Sequence, residues 1–272
     1  MTPRPGLVRR AAKACLPAPV RRFLRLAARE APFRLRDLPA DVGDLLGRTA
    51  PLPPARLRRR VSRTSSRREF EDVGRNCAAE LVAAFARARR PGEEYRRWLD
   101  FGSGAGRIAR YLAASGDVPV LVGVDVDGDL VAWTDRHLSP SRFRRIPPLP
   151  PTDLPDAGFD VAVCVSVFTH FDEEIGRRWI AELGRVLRPG GIFVVSTHGA
   201  AIAASQPLSD AQRERFSASG FLFIRGGGTF NDDAAFHAEP YLRRVWSEWF
   251  EFVERVPQGL MGFQDLSVWK RK

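Results

Sequence analysis

The stretch Trp98 to Arg107, W-L-D-F-G-S-G-A-G-R, restricts this chain more than any other. An apolar run that stops at Gly-Ser-Gly predicts a strand covered on both faces, as in the middle of a parallel sheet. Gly102, Gly104 and Gly106 follow at alternate positions. Lacking Cβ atoms, they let the backbone turn tightly and approach a ligand, and a helix opening near Arg107 would aim its first N–H groups at that ligand. The result is a nucleotide-type pocket. The spacing G-x-G-x-G differs from the G-x-G-x-x-G of dinucleotide sites, and the Gly-Lys-Ser/Thr ending of a phosphate loop is absent. Ordinary tight turns use glycines too, so the sequence downstream has to decide.

About 20 residues further on, Val118 to Val124 reads as a second buried strand ending at Asp125, where a carboxylate can accept from both hydroxyls of a ribose. Arg107 to Ala114 and Asp127 to His137 read as crossover helices, Asp127 and Asp129 being acids suited to a helix start. Arg142 to Ile146 is the third strand. Phe159 to Val167 is the fourth, β-branched and apolar, and it delivers Ser166, Phe168, Thr169 and His170 to the pocket rim. Ile175, Trp179, Ile180, Leu183 and Leu187 form the stripe of the next helix. That helix stops at Arg188-Pro-Gly-Gly, before a fifth strand, Ile192 to Ser196, that presents Thr197 and His198. Phe70, Val73, Cys77, Leu81, Ala84 and Phe85 predict a packed helix over Ser66 to Arg90. Residues 199 to 236 read as a long irregular connection with the character of a lid or an acceptor-binding segment. Tyr241 to Phe250 reads as a helix, and Phe252 to Val256 and Asp265 to Trp269 as closing strands.

D-F-G-S-G-A-G, V-G-V-D, F-D-V-A-V-C-V-S-V-F-T-H-F and L-R-P-G-G, in this order, resemble the class I S-adenosylmethionine-dependent methyltransferases over roughly residues 70 to 272. The resemblance implies a Rossmann-like α/β fold. Its sheet would have seven strands, mostly parallel with the last antiparallel, and helices on both faces. It implies S-adenosylmethionine as cofactor, held by Asp100, Gly102, Ser103, Gly104, Gly106, Asp125, Val126, Val165 and Ser166. Phe70 and Gly74 would either pack or approach that cofactor. One departure stands out: many relatives place an acid or amide after the third strand to meet adenine, whereas Pro147 to Leu149 is apolar. The ending F-E-F-V-E-R-V-P-Q-G-L-M-G-F-Q-D-L-S-V-W-K and S-V-F-T-H-F also look like bacterial methyltransferases of glycan or cell-envelope biosynthesis, which implies a carbohydrate or lipid-linked glycan as acceptor.

Methyl transfer is an in-line displacement, so such a protein mainly aligns acceptor, methyl and sulfur. A sugar hydroxyl also needs help in losing its proton, for which His170 and His198 are the candidates, with His237 and Asp265 behind them. On this reading the rate falls as pH drops through the histidine range near ~6.5. No cluster of metal-ligating residues is apparent, so the mechanism expected is metal-free. The competing readings are a nucleotide-sugar glycosyltransferase using Asp125-Val126-Asp127 as a D-x-D, a silent S-adenosylmethionine-binding module, and a methyltransferase of RNA or a small molecule. Base N-methylation loses support because V-S-V-F stands where N-P-P-Y or D-P-P-Y would.

The net charge of +11 is unevenly placed, with 18 Arg or Lys against 5 Asp or Glu in residues 1 to 70. Val20, Phe23, Leu24 and Ala27 alternate with arginines at helical spacing, which predicts a basic amphipathic helix that caps the domain, lies on anionic lipid or binds nucleic acid. Pro51 to Pro54 reads as a stiff linker. The expected organisation is therefore a basic arm and linker over 1–65 and a catalytic domain over 66–272. Cys15, Cys77 and Cys164 are too far apart in sequence for a C-x-x-C site, which fits a reducing cytoplasm. Peripheral contact at the inner face of the membrane is the further expectation for the arm.

Overall fold

The computed structural model describes residues 51–62, 66–226 and 232–272, and the chain divides into two compact units, Met1–Phe70 and Glu71–Lys272. Cys15 and the basic helix expected around Val20 lie outside the described residues. In the first unit, Pro51 to Pro54 runs into helix α1 (Ala55–Ser62), where Arg58 is buried and its Nη1 donates to the Pro53 carbonyl at 2.5 Å.

Next come α2 (Arg67–Ala88), β1 (Arg97–Phe101), α3 (Ala109–Ala114), β2 (Val120–Asp125), α4 (Gly128–His137), β3 (Arg142–Arg145) and β4 (Phe159–Cys164). A 3₁₀ turn (Phe168–His170) leads to α5 (Glu173–Val186), β5 (Leu187–Thr197), α6 (Ala200–Ser205) and α7 (Asp210–Ser219). The chain continues through β6 (Phe221–Ile224), β7 (Ala234–His237), α8 (Glu239–Trp246), β8 (Phe250–Leu260) and β9 (Gln264–Arg271). Seven strands form one sheet in the order β3-β2-β1-β4-β5-β9-β8. The pairs from β3 to β5 are parallel, and β9 runs antiparallel to both β5 and β8, as the family resemblance implies.

Alternation along the strands splits the core into two layers. Leu99, Ala162, Phe193 and Trp269 face α5 and α8, where Trp179, Leu183, Leu242 and Trp246 meet them. Trp98, Val161, Val194 and Val268 face the other way, toward Leu81 and Phe85 of α2 and Leu112 of α3. Burying each large side chain contributes about 1.5–3 kcal/mol, so a one-residue slip of any central strand would forfeit several such terms. At the amino ends of the strands, Asp160 accepts from the Arg96 and Arg97 N–H groups and from Arg188 Nε at 2.6 Å, fixing β1, β4 and β5 together.

Several boundaries differ from the sequence reading. The first crossover helix begins at Ala109, not Arg107, because Gly102, Gly104 and Gly106 all have positive φ and hold the chain in turns. The fourth strand stops at Cys164, since Ser166 turns into the left-handed region at φ 61°. Arg188-Pro-Gly-Gly does not precede the fifth strand but lies inside it, the register shift between Phe159 and Val161 absorbing the irregularity. Helix α8 opens at Glu239-Pro240 and ends at Trp246, so Phe250 belongs to β8.

The largest difference is in residues 199 to 236. Their described part is regular, with α6, α7 and the antiparallel pair β6–β7. It buries a small core of its own around Ile202, Leu222 and Phe236. Ser209 and Gln212 form a capping box at the start of α7, and Gly220 closes it in the left-handed conformation at φ 74°. No helix among the described residues is long and apolar enough to cross a membrane.

Candidate active site

The carboxyl ends of β1, β2, β4 and β5 meet at one edge of the sheet, and β1 and β2 are joined there by hydrogen bonds through the glycine loop. Gly102 and Ser103 donate their N–H groups to the Val124 carbonyl at 2.8 and 3.0 Å. Gly104 donates to Asp125 Oδ2 at 2.8 Å, and Asp127 to Asp125 Oδ1 at 2.8 Å. Asp125 therefore sets the loop's shape as well as ending β2. A Cβ on Gly102 would stand 2.3 Å from Val167 Cγ2, and one on Gly106 2.3 Å from Leu138 Cδ1, so a side chain at either would have to displace a neighbour while sitting at a strained positive φ. Gly74 is a packing residue: a Cβ there would lie 2.2 Å from the Arg107 carbonyl. Phe70 is buried.

Two polar atoms beside this loop are buried with no hydrogen-bond partner in the protein, Asp100 Oδ2 and Ser103 Oγ. Burial, and then the charge of Asp125, push the Asp100 carboxyl up to about 7 against the opposing pull of Arg107. Burial likewise raises Asp125, with the N–H groups of Asp127 and Gly104 opposing it. A pocket wall with unmet acceptors and suppressed negative charge fits a ligand that brings donors and positive charge.

Because the Asp100 carboxyl holds its proton more tightly in the folded chain, the folded state binds more protons than the unfolded one between pH 3.8 and about 7. Stability from this group is thus greatest in acid and falls as pH rises through that window. Asp100→Asn, melted without ligand across the same range, should show a flatter decline than the parent, and an unchanged slope would remove Asp100 as its source.

Asp127 caps α4, accepting from Asp129 and Leu130 N–H. With Asp125 also engaged on backbone N–H groups, the two acids of the D-x-D are each committed to shaping the chain. Val126, exposed at 47%, lies directly beyond Asp125 and accepts at its carbonyl from Arg145 Nε.

At the ends of β4 and β5 the polar groups form a second cluster. Ser166 donates its N–H to Ser196 Oγ at 2.9 Å, and Val165 precedes it, partly buried. The Ser166 and Ser196 hydroxyls both donate to Gln264 Oε1, at 3.0 and 2.6 Å. Thr169 Oγ1 donates to the Ser166 carbonyl, which starts the 3₁₀ turn carrying His170. His170 Nδ1 lies 2.8 Å from the Asp233 carbonyl. A carbonyl only accepts, so Nδ1 carries a proton and the lone pair of the neutral ring is on Nε2.

His198 follows β5 directly and lies between the rings of Phe236 and Phe263, and its carbonyl accepts from His237 N–H, which ties β7 to the end of β5. Burial, then His170, lower its pKa to about 4, with the Ala235 carbonyl and Asp265 pulling the other way. An acid limb set by His198 would accordingly lie below the range near ~6.5. His237 is buried deeper and held to about 3 by burial, His198 and Arg255.

Asp265 is not available as a base, because its Oδ2 accepts from Arg255 Nη2 at 2.5 Å and its Oδ1 from Gln258 N–H, with both side chains of the ion pair 5% exposed. The structure thus gathers Gly102, Ser103, Gly104 and Gly106 in one loop between Asp100 of β1 and Asp125 at the end of β2, and Ser166, His170 and His198 at the neighbouring strand ends. Gln264 and Arg255 are the residues that sequence reasoning missed, since an isolated Gln or Arg in an edge hairpin carries no motif.

Residues 99–195 match the family model described as a methyltransferase domain, a stretch that runs from β1 into β5 and contains the whole glycine loop. Among solved structures, a chain of the Haloferax volcanii complex between the Trm112 methyltransferase activator and a methyltransferase is similar at TM-score 0.53 and 16% identity, covering 75% of this chain and 92% of that one. The Burkholderia thailandensis 1,6-didemethyltoxoflavin-N1-methyltransferase is similar at TM-score 0.50 and 21% identity, over 74% of this chain and 79% of that one. The glycopeptide N-methyltransferase MtfA is similar at TM-score 0.51 and 15% identity, over 72% and 93%. At these identities the likeness is one of fold.

Proposed function

We propose that this methyltransferase domain takes its methyl group from S-adenosylmethionine and places it on a sugar hydroxyl of a glycan or lipid-linked saccharide, without a metal ion. The observation that carries the cofactor reading is the pair of unpartnered buried atoms, Asp100 Oδ2 and Ser103 Oγ, beside a loop held open by glycine. S-adenosylmethionine brings an ammonium group and a sulfonium, the donors and positive charge that such a wall lacks. Asp125 would hold the ribose hydroxyls, and Gly102, Gly104 and Gly106 the methionine end. Val126, Val165 and Ser166 would line the remainder. When bound, the cofactor supplies an activated methyl.

The residues then align and deprotonate the acceptor. With the cofactor bound, the imidazole of His170 or His198 would accept the proton of the acceptor hydroxyl as the methyl group is taken up. The carbohydrate reading is supported by the resemblance of S-V-F-T-H-F and the C-terminal segment to glycan-associated enzymes. The surplus of basic residues in 1–70 supports contact of that arm with an anionic membrane surface.

Purified protein incubated with methyl-labelled S-adenosylmethionine and separated carbohydrate, lipid-linked saccharide, RNA and small-molecule fractions should label a saccharide, equally with and without chelator. Label on RNA or on a nitrogen-bearing small molecule would replace the acceptor. Activity lost to chelator and restored by magnesium or manganese would refute the metal-free step.

A further inference from the structure

Four of the seven large hydrophobic side chains exposed among the described residues lie on the β8–β9 hairpin: Val253, Val256, Met261 and Phe263. Phe263, just before β9, is the most exposed of them at 49%, and it stands at the candidate site. Its ring makes an 80° angle with that of His198, the centroids 5.8 Å apart, while Phe236 lies 5.6 Å from the same imidazole. The row of rings begins in the core, where Phe236 is buried, and ends in solvent at Phe263.

The tip that carries this ring is braced. Gln258 N–H donates to Asp265 Oδ1 at 2.9 Å, Gln258 Nε2 to the Gly262 carbonyl at 3.3 Å, Met261 N–H to Glu80 Oε2 of α2 at 2.9 Å, and Phe263 N–H to the Leu260 carbonyl at 3.0 Å. Gln258 and Met261 hold positive φ, 52° and 56°, a conformation that non-glycine residues keep only where their surroundings enforce it. The polar neighbours of Phe263 are engaged within the protein: Gln264 Oε1 accepts from Ser166 and Ser196, and Asp265 from Arg255 and Gln258. Arg255, the one cationic residue from Phe250 to Gln264, is 5% exposed inside that ion pair and is not presented to a phosphate. What the hairpin offers beside His198 is therefore an aromatic face.

Such a face is complementary to carbon-bound hydrogens, whose partial positive charge meets the negative π cloud. A pyranose gathers these hydrogens on one face and carries its hydroxyls around the rim. We infer that Phe263 is an acceptor-binding residue whose ring receives the C–H face of the sugar, bringing the hydroxyl to be methylated beside the imidazoles. This rests on the carbohydrate reading above, and it adds that the acceptor is recognised through an apolar ring face at the hairpin tip.

The test has a kinetic arm and a binding arm, both on the full chain. Phe263→Ala should raise KM for the labelled saccharide about 10-fold, a larger effect than on kcat, with calorimetric affinity for S-adenosylmethionine unchanged, because the glycine loop lies on β1 and β2. Phe263→Tyr should restore KM, and Phe263→Leu, apolar but without a π face, should restore it less. In the binding arm, the tryptophan emission of Phe263→Trp, taken as a difference from the parent, should shift on adding the saccharide fraction without cofactor and stay unmoved by the RNA fraction. An alanine variant with the parent's KM, a leucine variant as good as tyrosine, or an emission shift with RNA alone would overturn the inference. A shift with saccharide but no methyl label would sink the proposed function and leave the stacking site standing, whereas label on saccharide with no shift would do the reverse.

Discussion

Replacing His170 with Ala should lower turnover by about 10²- to 10⁴-fold, the contribution of a positioned general base, with little change in affinity for S-adenosylmethionine. The cofactor loop is built from β1 and β2, whereas His170 sits on the 3₁₀ turn after β4 and is held through Asp233 and Thr169, so its loss leaves Asp125 and the glycines in place. The sign of the pH effect follows from the chemistry. A base must be unprotonated to act, so the parent rate falls toward acid, and that acid limb should vanish from the residual activity of His170→Ala. Were His198 the base instead, its lowered pKa would put the limb near 4. Steady-state kinetics across pH on the two single variants decides it. Turnover that survives both substitutions would remove the histidines from the mechanism.

In calorimetric titrations, Asp125→Ala should weaken S-adenosylmethionine binding by about 100-fold or more. Hydrogen bonds to a charged group contribute about 1.5–3 kcal/mol, and each 1.4 kcal/mol is about tenfold in affinity. Here the carboxylate also anchors the Gly104 and Asp127 N–H groups, so its removal loosens the loop that the ligand needs. Asp125→Asn, which keeps one acceptor oxygen, should lose less than the alanine variant. Equal affinity of Asp125→Ala and the parent, both folded, would sink the ribose assignment.

The parts of this site that could be read from the sequence are those whose function depends on backbone. Gly102, Gly104 and Gly106 announce positive φ, and Asp125 ends an unmistakable apolar strand at a fixed interval from them. These are local rules, and they survive into the structure. What could not be read depends on residues brought together from afar. Gln264 acquires meaning only because β9 pairs with β5, which sets it beside Ser196 and Ser166. The ion pair of Arg255 with Asp265 likewise follows from a hairpin register. The region after His198 differs for another reason: the runs Gly226-Gly227-Gly228 and Asn231-Asp232-Asp233 point to looseness, while the order of α7 comes from the capping box of Ser209 and Gln212. The strand limits around Ser166 and Arg188 depended on a left-handed residue and a register shift, neither of which periodicity reveals.

The placement of β9 bears on how the chain reaches this state. β8 precedes β9 in the chain yet lies outside it in the sheet, so β8 joins the sheet only through the later strand that pairs with β5. During synthesis, at roughly 5–20 residues per second, the edge of β5 from Ile192 to Thr197 stands open, an apolar row ready to pair with any passing strand. Asp265, opposite Thr197, is the first residue of β9 to pair with that edge, with Gln264 just before it. A nascent chain lacking β9 would therefore keep that apolar edge exposed and would lack the Gln264 amide that Ser166 and Ser196 meet.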